Sequence, residues 1–228
     1  MKGREAMDAI EAIYKRKSIR ALKREPIDEA TIREVLEAAG RAPSWGSSQP
    51  WYVVVVSREK LDKLRELWRE KDPGMGFADS DFPGPTNDDW VPAPECIENI
   101  IEWKENRARQ MGVTVEEHDE VFDQLVLDFY DAPVCVFLCL KKGLSPYSWY
   151  DLGSFGENLM IAATDKGLGT MPAYSTVMYG DILHRELDIP EEYGVVLGIG
   201  IGKIDESNPM NKPDAIHVPI DKYTRFVS

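Results

Sequence analysis

Apolar side chains fall at Met7, Ile10, Ile13 and Tyr14, the three-to-four-residue spacing of one helix face. Pro26 interrupts that pattern, Asp28 stands where an N-cap would, and Ile32, Val35, Leu36 and Ala39 repeat the period. A second helix is therefore predicted, stopped by Pro43. Residues 51–56 are continuous, short and β-branched, which predicts a strand buried on both faces, and Ser57 then caps a charged helix to about Lys71. From Pro73 to Pro94 the chain is crowded with Pro, Gly and Asp, so a mobile excursion without regular structure is expected. Pro94 opens a helix to Met111, and Thr114 with Glu117 has capping-box form ahead of a helix to about Tyr130. A buried strand at 134–140, an Ala-containing apolar helix at 151–166 closed by Gly167, and a third strand at 195–201 complete the pattern.

Helices interleaved with single strands, without regular βαβ alternation, predict an α+β sandwich rather than a doubly wound sheet. The length of 228 residues suits one domain, with residues 73–125 reading as a loop-plus-helix insertion. Residues 216–226 alternate apolar side chains but have little nearby to pack on, and are expected to reach across to a second subunit.

A formal net charge of -13 repels nucleic acid and anionic lipid, which excludes both as partners over most of the surface. The longest apolar runs fall far short of the roughly 18 residues of a membrane span, and the first residues lack a signal-peptide core, so a cytoplasmic location is expected. Cys96, Cys135 and Cys139 form no C-x-x-C pair, and two of them sit inside an apolar run, as buried thiols would. His118, His184 and His217 are scattered, so metal catalysis has no support, and Ser154-Phe155-Gly156 lacks the frame of a hydrolase nucleophile. The run Gly198-Ile199-Gly200-Ile201-Gly202-Lys203 is not a nucleotide loop. Its glycines fall within a strand and no helix follows, so they more simply admit a helix or a flat ring close to the sheet.

Against the acidic trend, six of the ten residues from Lys15 to Arg24 are Lys or Arg. Arg16, Lys17, Ser18 and Arg20 combine guanidinium forks with a hydroxyl, the set that holds a terminal phosphate by charge-assisted hydrogen bonds; the alternative is a solvated helix end. Residues 43–51 add prolines, serines, a glycine and a glutamine, giving a stiff backbone with hydrogen-bonding groups, or else an ordinary loop between helix and strand. Phe77, Phe82, Trp90 and Trp103 in the insertion form either a satellite core or a substrate wall.

Taken together, the Arg16–Arg20 string and the Ala42-Pro43-Ser44-Trp45-Gly46-Ser47-Ser48-Gln49-Pro50-Trp51 segment resemble the opening of the nitroreductase family of FMN-dependent oxidoreductases. The likeness continues through Phe129-Tyr130-Asp131-Ala132-Pro133 before a strand, Asp151-Leu152-Gly153 opening a helix, Gly167-Leu168-Gly169-Thr170 ending it, a short helix at 182–190, and Gly200-Ile201-Gly202. The resemblance implies a nitroreductase-like mixed sheet flanked by helices, in an intertwined homodimer with FMN at the interface. It implies that Arg16, Ser18 and Arg20 hold the phosphate and ribityl end, with Lys17 contributing through its backbone. Pro43, Ser44, Ser47 and Gln49 would come from the partner subunit, while Pro172, Ala173, Tyr174 and Ser175 lie beside the ring. Two positions depart from the family pattern: Ser47 stands where Asn is usual, and His217 stands where a phosphate-binding Arg is common two residues before Pro219. Lys203 or Lys212 could substitute there. No side-chain catalyst is then required, because the flavin carries the chemistry. The implied activity is ping-pong hydride transfer from NADH or NADPH to a small aromatic acceptor such as a nitroaromatic or quinone. Relatives that dehalogenate rings or oxidise heterocycles, and a non-catalytic flavin sensor, are the alternatives.

Overall fold

The computed structural model describes residues 7–71, 79–84 and 93–227. Phe77, Trp90 and most of the expected excursion lie outside them. Helix α1 (Ala9–Lys15) begins on Asp8, whose carboxylate accepts from the N–H groups of Ile10 and Glu11. Strand β1 (Leu22–Lys23) and helix α2 (Glu29–Ala39), capped by Asp28, follow. Strand β2 (Trp51–Ser57) runs directly into α3 (Arg58–Lys71), and the insertion supplies α4 (Pro94–Met111) and α5 (Val115–Leu127). The predicted capping box at Thr114 is present, with both reciprocal bonds made.

Strand β3 (Val134–Lys141) leads to α6 (Pro146–Asp165), β4 (Gly169–Ala173), α7 (Gly180–Leu187) and β5 (Tyr193–Ile204). The strands make a five-stranded sheet in the order β1-β5-β3-β2, with β4 also on β5. All these strand pairs are antiparallel; among the described residues, parallel pairing is confined to isolated bridges, Ser18 with Thr170 and Asp79 with Tyr179. β3 is the middle of the core. Its Val134, Val136, Leu138 and Leu140 face α2 and α6, while Cys135, Phe137 and Cys139 face α3 and α7. That two-sided burial is why its sequence is uninterrupted in apolar residues.

Several expectations change. β2 packs on both faces, Trp51 and Val53 against the α2 and α6 layer and Val54 and Val56 against the α3 and α7 layer, but less completely than expected: among the described residues it pairs only with β3, and at this edge Tyr52 and Val55 are exposed. α5 stops at Leu127 rather than near Tyr130, because Phe129, Tyr130 and Asp131 take positive φ values of 52°, 57° and 57°. This left-handed turn is held by Arg65, which donates to the carbonyls of Asp128 and Ala132, and by Arg24 and Arg69 on the Asp128 carboxylate. α6 starts earlier than predicted, at Pro146, which occupies the first helical turn where its missing N–H costs nothing. The glycines of β5 admit close neighbours: a Cβ on Gly198 would stand 2.1 Å from Thr176 Oγ1, in the short helical turn after β4, one on Gly202 2.8 Å from Pro133 Cδ, and one on Gly194, earlier in the strand, 2.4 Å from the Phe82 ring.

Candidate functional site

The basic string does not continue α1. After Lys15 the backbone becomes extended at Arg16, and Ser18 bridges Thr170 while the Ile19 N–H donates to the Thr170 carbonyl at 2.8 Å. This seam lays residues 16–20 beside β4, whose end carries Pro172, Ala173, Tyr174 and Ser175. Two of the sequence-predicted groups, far apart in the chain, therefore meet.

Along the seam the charged residues behave differently. Arg16 turns to α6 and pairs with Glu157 at 3.2 Å, and Lys17 reaches Asp214 at 3.2 Å. Arg20 folds inward: its Nη1 donates to the Ser18 carbonyl at 3.1 Å, and its Nε is buried without a hydrogen-bond partner among the described residues. The Thr170 hydroxyl is the other such atom. Burial holds the Arg20 guanidinium below the usual arginine range, the nearby Tyr130 acting against that shift.

The insertion closes over this point. Trp103 of α4 lies 5.4 Å from the Arg20 guanidinium and 5.8 Å from that of Arg107. Arg107 is buried, donating from Nη2 to the Met210 carbonyl at 2.8 Å and from Nε to His118 Nε2 at 3.3 Å. Burial, reinforced by the charge of Arg20, pushes Arg107 down to about 10. Trp103 thus lies within cation–π reach of two arginines, and Phe82 packs edge-on to Trp149. Neither Arg20 nor Arg107 makes an ion pair among the described residues; their partners are neutral oxygen and nitrogen atoms.

Opposite the arginines, the β4 loop is fixed from behind. Ser175 Oγ is 3.1 Å from the Tyr130 hydroxyl, and its carbonyl accepts from Trp68 Nε1 at 2.9 Å. Tyr130 is presented by the left-handed turn, and burial raises its phenol while Ser175 and Arg20 pull the other way. The Tyr174 hydroxyl is 2.9 Å from Ser80 Oγ.

The 43–49 loop lies elsewhere on the subunit. Its Trp45 N–H donates to the Asp151 carboxylate in the second turn of α6, and Ser44 Oγ accepts from the Gln49 N–H. Gly46, Ser47 and Gln49 all have positive φ, so the loop presents Pro43, Ser47 and Gln49 outward, and no hydrogen bond joins it to Arg16–Arg20 among the described residues. Lys203 is also apart: it is exposed on β5 and pairs with Glu25 at 2.5 Å. His217 and Lys212 are exposed in the coil after β5.

The residues that sequence reasoning missed are Asn211, Trp103 and Arg107 as neighbours of Arg20, and Tyr130 as the support of Ser175. Asn211 carries no periodic or motif signal, and Arg107 looks like one more charge on an amphipathic helix.

The family model described as the nitroreductase family matches residues 13–203. The chain belongs to the nitroreductase family. Among the family's proteins, a 4-nitrobenzoate reductase of Pseudomonas putida is 27% identical over 206 residues, covering 87% of this chain and 86% of its own. A nitrobenzene nitroreductase of Ectopseudomonas oleovorans is 26% identical, covering 94% and 95%. The solved structure of the FMN-dependent nitroreductase NfnB from Mycobacterium smegmatis in complex with NADPH superposes with a TM-score of 0.84 at 26% identity, covering 96% of this chain and 98% of that one.

Proposed function

We propose that this nitroreductase-family chain is an FMN-dependent NAD(P)H oxidoreductase that reduces small nitroaromatic or quinone acceptors. The observation that carries this reading is the Arg20 seam: a half-buried guanidinium without an acid partner among the described residues, its Nε buried and unsatisfied, on the same seam as the unsatisfied Thr170 hydroxyl that leads into the Tyr174–Ser175 loop. Buried polar atoms left without partners call for a polar ligand, and a buried cation calls for an anionic or strongly accepting one. The donor set fits a flavin mononucleotide. Arg16, Lys17, Ser18 and Arg20 bind its phosphate and ribityl end, and Pro172, Ala173, Tyr174 and Ser175 line its ring. When bound, FMN supplies hydride acceptance from NAD(P)H and hydride delivery to the acceptor. The chain's own residues fix orientation, exclude water from the ring and hold positive charge at the phosphate, which is the usual division between cofactor and protein.

The reading includes a homodimer. Pro43, Ser44, Ser47 and Gln49 cannot reach Arg20 of their own subunit through any contact described above, so they serve the site of a second copy. Around α6, which packs against both α1 and the 45–47 turn, Ile10, Ile13, Tyr14, Trp45, Tyr147 and Tyr150 are exposed. Large apolar side chains gathered in this way mark an association surface. The exposed side chains of Ile216, Val218, Ile220, Tyr223 and Phe226 extend the same argument to the chain's final segment.

The test is anaerobic spectroscopy of the protein loaded with FMN. Addition of NADH or NADPH is expected to bleach the flavin band, and a nitroaromatic or quinone to restore it. A yellow protein that neither nucleotide bleaches is a flavin carrier, and one that stays colourless after reconstitution overturns the assignment entirely.

A further inference from the structure

Directly after β5, the turn Pro209–Asn211 lies against the basic seam, and Asn211 at its end is buried. Its side-chain oxygen accepts from the N–H groups of Arg20 at 2.8 Å and Ala21 at 3.1 Å. Its amide nitrogen donates to the carbonyls of Ala21 at 2.7 Å and Asp205 at 2.9 Å. All four hydrogen-bonding capacities of the amide are thereby used. The orientation is determined by the partners, since the flipped amide would set donors against two N–H groups and an acceptor against two carbonyls. The turn is bound from two further sides. Lys17 Nζ reaches the Asn211 carbonyl at 3.3 Å, and Arg107 of the insertion donates to the Met210 carbonyl at 2.8 Å.

We propose that Asn211 is a positioning residue for cofactor binding: it fixes the backbone at Arg20, and so the direction in which that guanidinium enters the site. This rests on the FMN reading above. Without Asn211, the adjacent N–H groups of Arg20 and Ala21 lose their partner together, and the segment between α1 and β1 is left with the Ile19 N–H on the Thr170 carbonyl and the Asp205 N–H on the Ala21 carbonyl to register it against the sheet. No other residue type supplies one two-fold acceptor and two donors from so short a side chain. Aspartate would set carboxylate oxygen against two carbonyls, and leucine would leave the N–H groups of Arg20 and Ala21 unsatisfied.

A double-mutant cycle on FMN affinity tests this, read by flavin fluorescence in the full-length apo protein well below its thermal midpoint. The parent is measured first; a parent that does not bind FMN overturns the functional reading and this inference with it. Given a binding parent, Asn211→Ala is expected to weaken FMN by about tenfold, the scale of a misplaced charged hydrogen bond. In the Arg20→Ala background the same change is expected to add almost nothing, because its effect runs through Arg20. A folded Asn211→Ala protein with parental affinity overturns the proposal, as do losses that multiply in the double variant. If Asn211→Ala does not fold, Asn211→Ser takes its place, its hydroxyl and admitted water solvating the carbonyls of Ala21 and Asp205. The same outcomes then decide.

Discussion

Arg20 is a half-buried cation in a strongly acidic chain, its Nε fully buried, yet it makes no ion pair among the described residues. Desolvating an arginine without a counter-ion lowers stability, and the phosphate of the proposed FMN would supply the missing anion. Arg20→Ala is expected to weaken FMN retention by about 1.5 to 3 kcal/mol, and equal affinity in titrations of variant and parent would contradict its role. The thiols of β3 make a separate prediction. Burial pushes Cys139 up to about 12, with Asp81 adding to the rise, and burial raises Cys135 too. Above the ordinary thiol value of 9.0 the unfolded chain releases these protons while the folded chain keeps them. The folded state then binds more protons, so stability is full below that value and falls as pH rises through it. Urea unfolding at about pH 8 and about pH 10 should show this loss, flattened in a Cys135→Ala/Cys139→Ala variant; parallel slopes would refute the cause.

Among the elements, the left-handed turn Phe129–Asp131 shows how strain is held in place. Three consecutive residues with positive φ cost of order 1 to 3 kcal/mol each unless their surroundings over-determine them. Arg65 does so, satisfying the Asp128 and Ala132 carbonyls while pairing with Asp62, and the turn in return presents Tyr130 to Ser175. Arg65→Met is expected to cost about 1 to 3 kcal/mol in chemical denaturation by removing the donor to the buried Ala132 carbonyl and one of the two donors to the Asp128 carbonyl. Thr114→Ala, which removes one arm of the α5 capping box, should cost only about 0.5 to 2 kcal/mol. A larger loss from the cap than from Arg65 would reverse this ranking of the two devices.

At the scale of the whole molecule, exposed apolar side chains around α6 and along the final segment predict association. Sedimentation velocity is expected to give twice the 25.8 kDa chain mass, and deletion of residues 216–227 to weaken both dimer and FMN retention. A deletion variant that remains a dimer and keeps FMN would remove the segment from both roles. The sequence by itself determined the elements whose signals are local. Asp28 and Thr114 named their caps, Pro94 its helix start, and the unbroken apolar run of β3 its burial between two helical layers, because capping and side-chain period act within a few residues. It also singled out the basic string and the Pro172–Ser175 loop by composition and family likeness. Only the tertiary structure decided that the two lie side by side, that β1 and β4 are strands at all, and that β2 is an edge. A two-residue strand has no period to read, and Gly169 and Pro172 argue against one until β5 pairs with it. The same holds for Asn211, Arg107 and Trp103: their roles are fixed by partners scores of residues distant, which no pattern along the chain encodes.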